Sequence, residues 1–195
     1  MAELRSAAEL ARDLADALEE AGLPYAIGGA IALGYHSSPR ATIDVDVNVF
    51  VDPAEDLRRI VEVLAKAGFE PDAEPEALER QARTDGQFRG RVSGMRVDVF
   101  VPAIPYYAEL EGRSREVILM GRPIRILGAD DLAVLKVMFF RTKDLADVEA
   151  LLRSPEARID RRFVREKLVS LVGVDEERVR AWDGLVARLG AEADD

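Results

Sequence analysis

The chain has no cysteine and only one histidine, His36, in 195 residues. Without thiols it has neither a disulfide scaffold nor a thiolate metal site. One imidazole cannot build a multi-histidine zinc cluster or serve two independent histidine sites. Any bound metal must therefore be held mostly by carboxylates. Lysine is also scarce: Lys66, Lys136, Lys143 and Lys167 are the four present, a bias of composition rather than of function. No apolar run approaches the roughly 18 residues of a membrane span. The opening stretch, MAELRSAAELARDLADALEEAG, carries acids and bases through its apolar pattern, unlike a signal peptide, so a cytoplasmic protein without membrane contact is expected. Acidic residues number 37 against 27 basic ones, a net charge of −10, which argues against wholesale, nonspecific wrapping of nucleic acid. A local basic patch stays open. With 48% hydrophobic and 33% charged residues, the composition is that of an ordinary globular protein.

Leu4, Ala7, Ala8, Leu10, Ala11, Leu14, Ala15 and Leu18 recur at helical spacing until Gly22 and Pro24 stop the pattern. Tyr25 to Ile27 then reads as a strand, Gly28-Gly29 as a tight turn, and the alanine-rich stretch to His36 as a helix. Ile43 to Val51 alternates as a strand, and Pro53 opens a helix with Leu57, Ile60, Val61 and Leu64 on its apolar stripe up to Gly68. Residues 71–84 are polar and read as a mobile connection. Gln87 to Val92 and Met95 to Val101 flank Ser93-Gly94 as a hairpin, and Val117 to Met120 with Ile124 to Leu127 form another short pair. Helical periodicity then covers residues 131–153, 160–171 and 176–189. The chain thus divides into an α/β core over 1–128 and a helical region over 129–195.

The chemistry concentrates in IGGAIALGYHSSPRATIDVDVNVF, residues 27–50. Asp44 and Asp46 lie two apart on a strand, on one face, with Cα atoms roughly 6.5 Å apart. Two carboxylates so placed can share a divalent cation. They can equally be polar positions on a half-exposed strand, although aspartate is disfavoured in strands and like charges on one face repel. A strand ending in Gly28-Gly29 before a helix lets backbone amides approach a phosphate; it also reads as a plain turn. Asp98 in MRVDVFV alternates with apolar neighbours on another strand. Phosphate-loop, dinucleotide-fold and serine-hydrolase motifs are all missing from the sequence.

In order and type these residues resemble the nucleotidyltransferase superfamily that includes DNA polymerase β. Gly28, Gly29, Ala32, His36, Arg40, Thr42, Asp44 and Asp46 look most like the AbiEii and minimal-nucleotidyltransferase proteins of toxin–antitoxin systems. The segment DLAVLKVMFFRTKDLADVEALL is similar to the helices that follow the core there. The resemblance implies an α+β fold of polymerase β type: a mixed sheet flanked by helices, with a C-terminal helical part. It also implies metal-dependent transfer of a nucleoside monophosphate from a nucleoside triphosphate to an acceptor hydroxyl on transfer RNA or protein. Asp44 and Asp46 would hold Mg²⁺ or Mn²⁺ on the triphosphate, and Asp98 would ligate a second ion and help deprotonate the acceptor. Gly28, Gly29, Arg40, Thr42, Lys136 and Lys143 would bind the nucleotide. Many relatives carry Gly-Ser where this chain has Gly28-Gly29, and their interval to the first aspartate is often shorter than the fourteen residues here. If a serine hydroxyl is needed on the phosphate, Thr42 or Ser37 would have to supply it.

Around this set the readings divide. His36 and Arg40 lie four apart and point to one cleft if the helix continues; otherwise His36 is a packed core residue. Lys136, Phe140, Lys143 and Asp147 share one face if their helix is unbroken, facing either the triphosphate or solvent, with Lys143 and Asp147 as an ordinary pair. Arg158, Arg161, Arg162, Arg165 and Lys167 form a basic cluster that suits an RNA backbone or a solvated face. Besides the enzyme, two alternatives stand: a noncatalytic antitoxin or binding protein with this fold and a cognate partner, and a nucleotidyltransferase acting on a small molecule such as a cationic antibiotic.

Overall fold

The computed structural model describes residues 5–193, with side chains to residue 190. Leu4, which the periodicity places in the first helix, and residues 194–195 of the expected helical region lie outside the described residues. The chain forms two compact units. The first comprises the described residues up to Ile31 together with Arg40–Leu127; the second comprises Ala32–Pro39 and the residues from Gly128 onward.

The first unit is built on a seven-stranded mixed sheet. Its strands are β1 (Tyr25–Ile27), β2 (Asp44–Val49), β3 (Glu70–Pro71), β4 (Gln87–Val92), β5 (Met95–Phe100), β6 (Arg115–Leu119) and β7 (Arg122–Ile126), in the order β3-β4-β5-β2-β1-β7-β6. The parallel pairings are β2 with β5 and β1 with β7; the others are antiparallel. Along β2 and β5 the period-two pattern sends Val45, Val47, Val97 and Val99 to a fully buried face. The intervening residues, Asp44, Asp46, Arg96 and Asp98, share the opposite face. This is the α+β architecture, a mixed sheet with helices, that the resemblance implies.

Helix α1 (Ala7–Glu20) packs against β1, β2 and β7 through Leu10, Leu14 and Leu18, none of which is exposed. A capping box starts it: the Glu9 amide donates to the Ser6 hydroxyl at 3.2 Å, and the Ser6 amide donates to the Glu9 carboxylate at 2.7 Å. Helix α2 (Gly29–His36) follows β1, and α3 (Pro53–Ala65) begins with Asp52 as its cap and Pro53 in the first turn. Residues 71–84 are not the loop expected above. Helix α4 (Pro75–Asp85) occupies most of them, started by Pro75, closed by Gly86 in the left-handed region, and anchored only by buried Leu78 and Ala82. So narrow an apolar stripe in a polar segment hides the helical period. Helix α5 (Tyr107–Arg113) and the short β3 are further elements that the alternation did not reveal.

The second unit contains α6 (Ala129–Phe139), α7 (Thr142–Arg153), α8 (Arg161–Val172) and α9 (Glu177–Ala193). The expected continuous helix over 131–153 is two helices. Phe140 takes φ 58°, in the left-handed region, and its amide donates to the Lys136 carbonyl, which ends α6. No helix among the described residues is long and apolar enough to cross a membrane.

Candidate active site

Strand β1 delivers the chain to Gly28, whose amide donates to the Asp46 carbonyl at 2.8 Å. Gly29 then turns into α2 with φ +54°. A Cβ at Gly29 would lie 1.7 Å from Oδ2 of Asp46, and one at Gly28 would lie 2.9 Å from Nδ2 of Asn48. A residue other than glycine at position 29 would have to hold a left-handed backbone and push the Asp46 carboxylate aside. Asn48 is buried and donates to the Ala26 carbonyl at 3.1 Å, tying β1 to β2 beneath the turn. It continues the series Asp44, Asp46, Asn48 along one face.

Parallel pairing of β2 with β5 sets Asp46 directly opposite Asp98, and Asp44 opposite Arg96. All three aspartates therefore lie on one face, with Gly28 and Gly29 beside Asp46. Asp98 is buried and engaged on both oxygens: Arg89 Nε donates to Oδ1 at 2.7 Å, and Arg96 Nε lies 3.1 Å from Oδ2. Arg96 also donates through Nη2 to Oδ2 of Asp44 at 2.6 Å. Thr42 donates its hydroxyl to the other Asp44 oxygen at 2.5 Å, so in this structure it orients a carboxylate. Tyr107 of α5 is buried; burial, reinforced by the negative charge of Asp46, pushes its hydroxyl above the ordinary tyrosine range and keeps it protonated.

Arg89, Arg96 and Tyr107 were missed from the sequence. The hairpin carried the signal for Arg89, since counting outward from Ser93-Gly94 places it opposite Asp98; the same count sets Arg96 opposite Arg91, and its partner Asp44 comes only with β2. Tyr107 left no periodic trace.

The remaining candidates lie elsewhere. Arg40 is exposed in the first unit, whereas His36 is fully buried in the second, where its carbonyl accepts a hydrogen bond from Ser154 at 2.6 Å. Their expected helical spacing is lost because α2 ends at His36, ahead of Pro39. Ser37 donates to the Leu33 carbonyl. Lys136 is not on a solvated face: its ammonium lies 2.6 Å from Asp147 and 3.9 Å from Asp144, with all three side chains under 10% exposed. The break at Phe140 lets α7 fold back so that Asp147 meets Lys136. Lys143 is exposed on α7. In the basic cluster, Arg162 pairs with Glu166 and Arg165 with Asp183, as on a solvated helix face.

The site's donors are carboxylate oxygens, the type that suits Mg²⁺ or Mn²⁺, and a cationic group already lies across two of them. In donor chemistry the residues fit a hard divalent cation. Among the described residues, however, no three acidic or imidazole groups form a ready metal cage.

No protein-family model matches the chain, and no curated protein matches it in sequence. Solved structures do. The solution structure of the antibiotic-resistance factor ANT(2'')-Ia aligns at 20% identity and TM-score 0.51, covering 96% of this chain and 95% of that one. A crystal structure of ANT(2'')-Ia with adenylyl-2''-tobramycin aligns at 19% identity and TM-score 0.50, covering 93% and 98%. An antigenic nucleotidyltransferase-like protein from Paracoccidioides brasiliensis aligns at 18% identity and TM-score 0.53, covering 90% and 93%. The chain has a nucleotidyltransferase fold.

Proposed function

We propose that the protein transfers a nucleoside monophosphate from a nucleoside triphosphate to an acceptor hydroxyl, the bond between the α- and β-phosphates breaking and pyrophosphate leaving. The observation that carries this reading is the placement of Asp46 opposite Asp98 on neighbouring parallel strands, beside a glycine turn pressed onto Asp46. A sheet needs no such convergence of acids for its stability, because like charges on adjacent strands are unfavourable.

In this reading the backbone of Gly28 and Gly29, at the start of α2, receives the phosphates, and Arg40 supplies positive charge to them. Asp44, Asp46 and Asp98 would hold Mg²⁺ or Mn²⁺, which would supply positive charge to the oxygens that become negative during transfer. Thr42 fixes the rotamer of Asp44, and Asn48 fixes the depth of the glycine turn. A carboxylate oxygen of Asp98 receives the proton of the acceptor hydroxyl.

For the acceptor, a hydroxyl of transfer RNA or protein is our first reading, within a toxin–antitoxin pair. Arg89 and Arg91 of β4 lie on the side of β5 away from β2 and the glycine turn, and a phosphate-bearing acceptor would find cations there. The likeness to ANT(2'')-Ia favours a second reading, a cationic antibiotic acceptor, which the net charge of −10 also suits. Incubation with α-labelled nucleoside triphosphates and Mg²⁺, offering transfer RNA, total protein and tobramycin in parallel, separates them. Label should pass to one acceptor and be lost in Asp98→Asn. No transfer to any of them, with nucleotide still bound, would identify a noncatalytic antitoxin or binding protein.

A further inference from the structure

Arg96 carries the strongest signal that this reading leaves unused. Register puts it beside Asp44 and two residues before Asp98 on the same face, so one guanidinium reaches both carboxylates. With Asp46 adjacent, three acids would otherwise crowd one patch of sheet, and Arg96 supplies the charge that lets them coexist. The fit is uneven. Nη2 makes a short hydrogen bond to Asp44, whereas Nε, though 3.1 Å from Asp98, is buried and makes no hydrogen bond of good geometry among the described residues. Asp98 does not depend on Arg96 alone, since Arg89 holds its other oxygen. The Arg96 side chain is 39% exposed, so it has a path outward.

Resting on the nucleotidyl-transfer reading above, we propose that Arg96 is the site's own counter-cation, competing with the divalent metal for Asp44 and Asp98. A metal ion arriving alone must displace a guanidinium and offers it no new partner, and the two cations repel. A metal arriving on a nucleoside triphosphate brings phosphate oxygens, to which the displaced guanidinium, with its unsatisfied Nε–H, can turn. Metal and nucleotide therefore bind cooperatively, and Arg96 becomes a phosphate-positioning residue once they are in place. The coupling also keeps the carboxylates from holding metal idly without substrate.

The test is Mn²⁺ titration followed by the paramagnetic resonance signal of the free ion, with and without a non-hydrolysable nucleoside triphosphate. It uses the full chain as wild type, Arg96→Gln, Arg96→Lys and Arg96→Gln/Asp44→Asn, each checked for cooperative melting. Wild type should bind Mn²⁺ weakly alone and more tightly with nucleotide. Arg96→Gln should bind Mn²⁺ alone more tightly by about tenfold or more, a change of about 1.4 kcal/mol per decade. It should also lose most of the nucleotide dependence. Arg96→Lys, which keeps the charge, should stay near wild type, and Asp44→Asn should cancel the gain. If Arg96→Gln leaves Mn²⁺ affinity unchanged while wild type still binds Mn²⁺ with nucleotide, the counter-cation role is overturned and nucleotidyl transfer stands. A gain that survives Asp44→Asn places the metal elsewhere and also overturns it. Absence of Mn²⁺ and nucleotide binding in every variant overturns both readings.

Discussion

Oδ2 of Asp46 lies where a β-carbon on Gly29 would have to be, at 1.7 Å, and Gly29 has φ +54°. Glycine is thus favoured twice over, by its backbone angle and because a β-carbon would force the Asp46 carboxylate aside. Gly29→Ser should cost about 2 kcal/mol or more, since a left-handed non-glycine residue alone costs roughly 1–2 kcal/mol. Gly22→Ala isolates the backbone part, because Gly22 has φ +65° and nothing within 4 Å of its added carbon. Urea unfolding should show the larger loss at position 29, together with weakened nucleotide binding. Equal losses at the two sites would mean that Asp46 simply turns aside.

Lys136 and Asp147 form a buried pair within the helical unit, with Asp144 close by and itself held by Arg141 at 2.5 Å. Removing one partner of a buried pair strands the other, typically at about 3–5 kcal/mol, whereas replacing both by apolar groups is often neutral. Lys136→Met should therefore lower stability by about 3 kcal/mol, and Lys136→Met/Asp147→Leu should recover most of it. Thermal denaturation of the three proteins decides the matter. A Lys136→Met protein that melts like wild type would show that the pair contributes nothing.

The same lysine marks where the sequence stops being legible. Alternation along Ile43–Val51 and Met95–Val101 displays its period directly, so Asp44, Asp46 and Asp98 could be assigned to strand faces before any coordinates. Which strand neighbours which is a long-range matter, and the direct opposition of Asp46 to Asp98 needed the structure. Lys136 and Asp147 were misjudged because the end of α6 depends on one residue, Phe140, adopting a conformation that a phenylalanine rarely takes. Propensity gives no warning of it. Arg89 was legible through hairpin arithmetic, while Arg96 reads as an ordinary exposed strand residue until β2 is placed alongside. Helix α4 was hidden because Leu78 and Ala82 alone carry its buried face.

If the three aspartates hold metal on a nucleotide, Mg²⁺ and a nucleoside triphosphate together should raise the melting temperature by mass action, worth about 2.7 kcal/mol at a hundredfold excess over Kd. Asp46→Asn should abolish that rise and leave the apo protein folded, since the substitution keeps the shape and removes a charge beside Asp98. Scanning fluorimetry with each component alone and with both reads it. A nucleotide effect of equal size with and without Mg²⁺ in the wild type would count against carboxylate-held metal.

Two buried tyrosines should make the fold lose stability at alkaline pH. Tyr25 and Tyr107 are both buried, and burial pushes each hydroxyl above the ordinary value of 10.0; for Tyr25 its hydrogen bond to Glu19, at 2.7 Å, adds to the rise. In the unfolded chain both hydroxyls ionise near 10, whereas in the folded chain they stay protonated. Above that pH the unfolded state binds fewer protons than the folded one, so stability falls as pH rises. Below it the full contribution is present. Each tyrosine should steepen the loss by up to about 1.4 kcal/mol per pH unit between the unfolded and folded values. Urea midpoints measured from pH 8 to 11 should be flat at first and then drop, with the drop shallower in Tyr107→Phe, which removes the titrating group and keeps the ring. A Tyr107→Phe profile parallel to wild type through this range would show that the Tyr107 hydroxyl is open to solvent and that Asp46 exerts no hold on it.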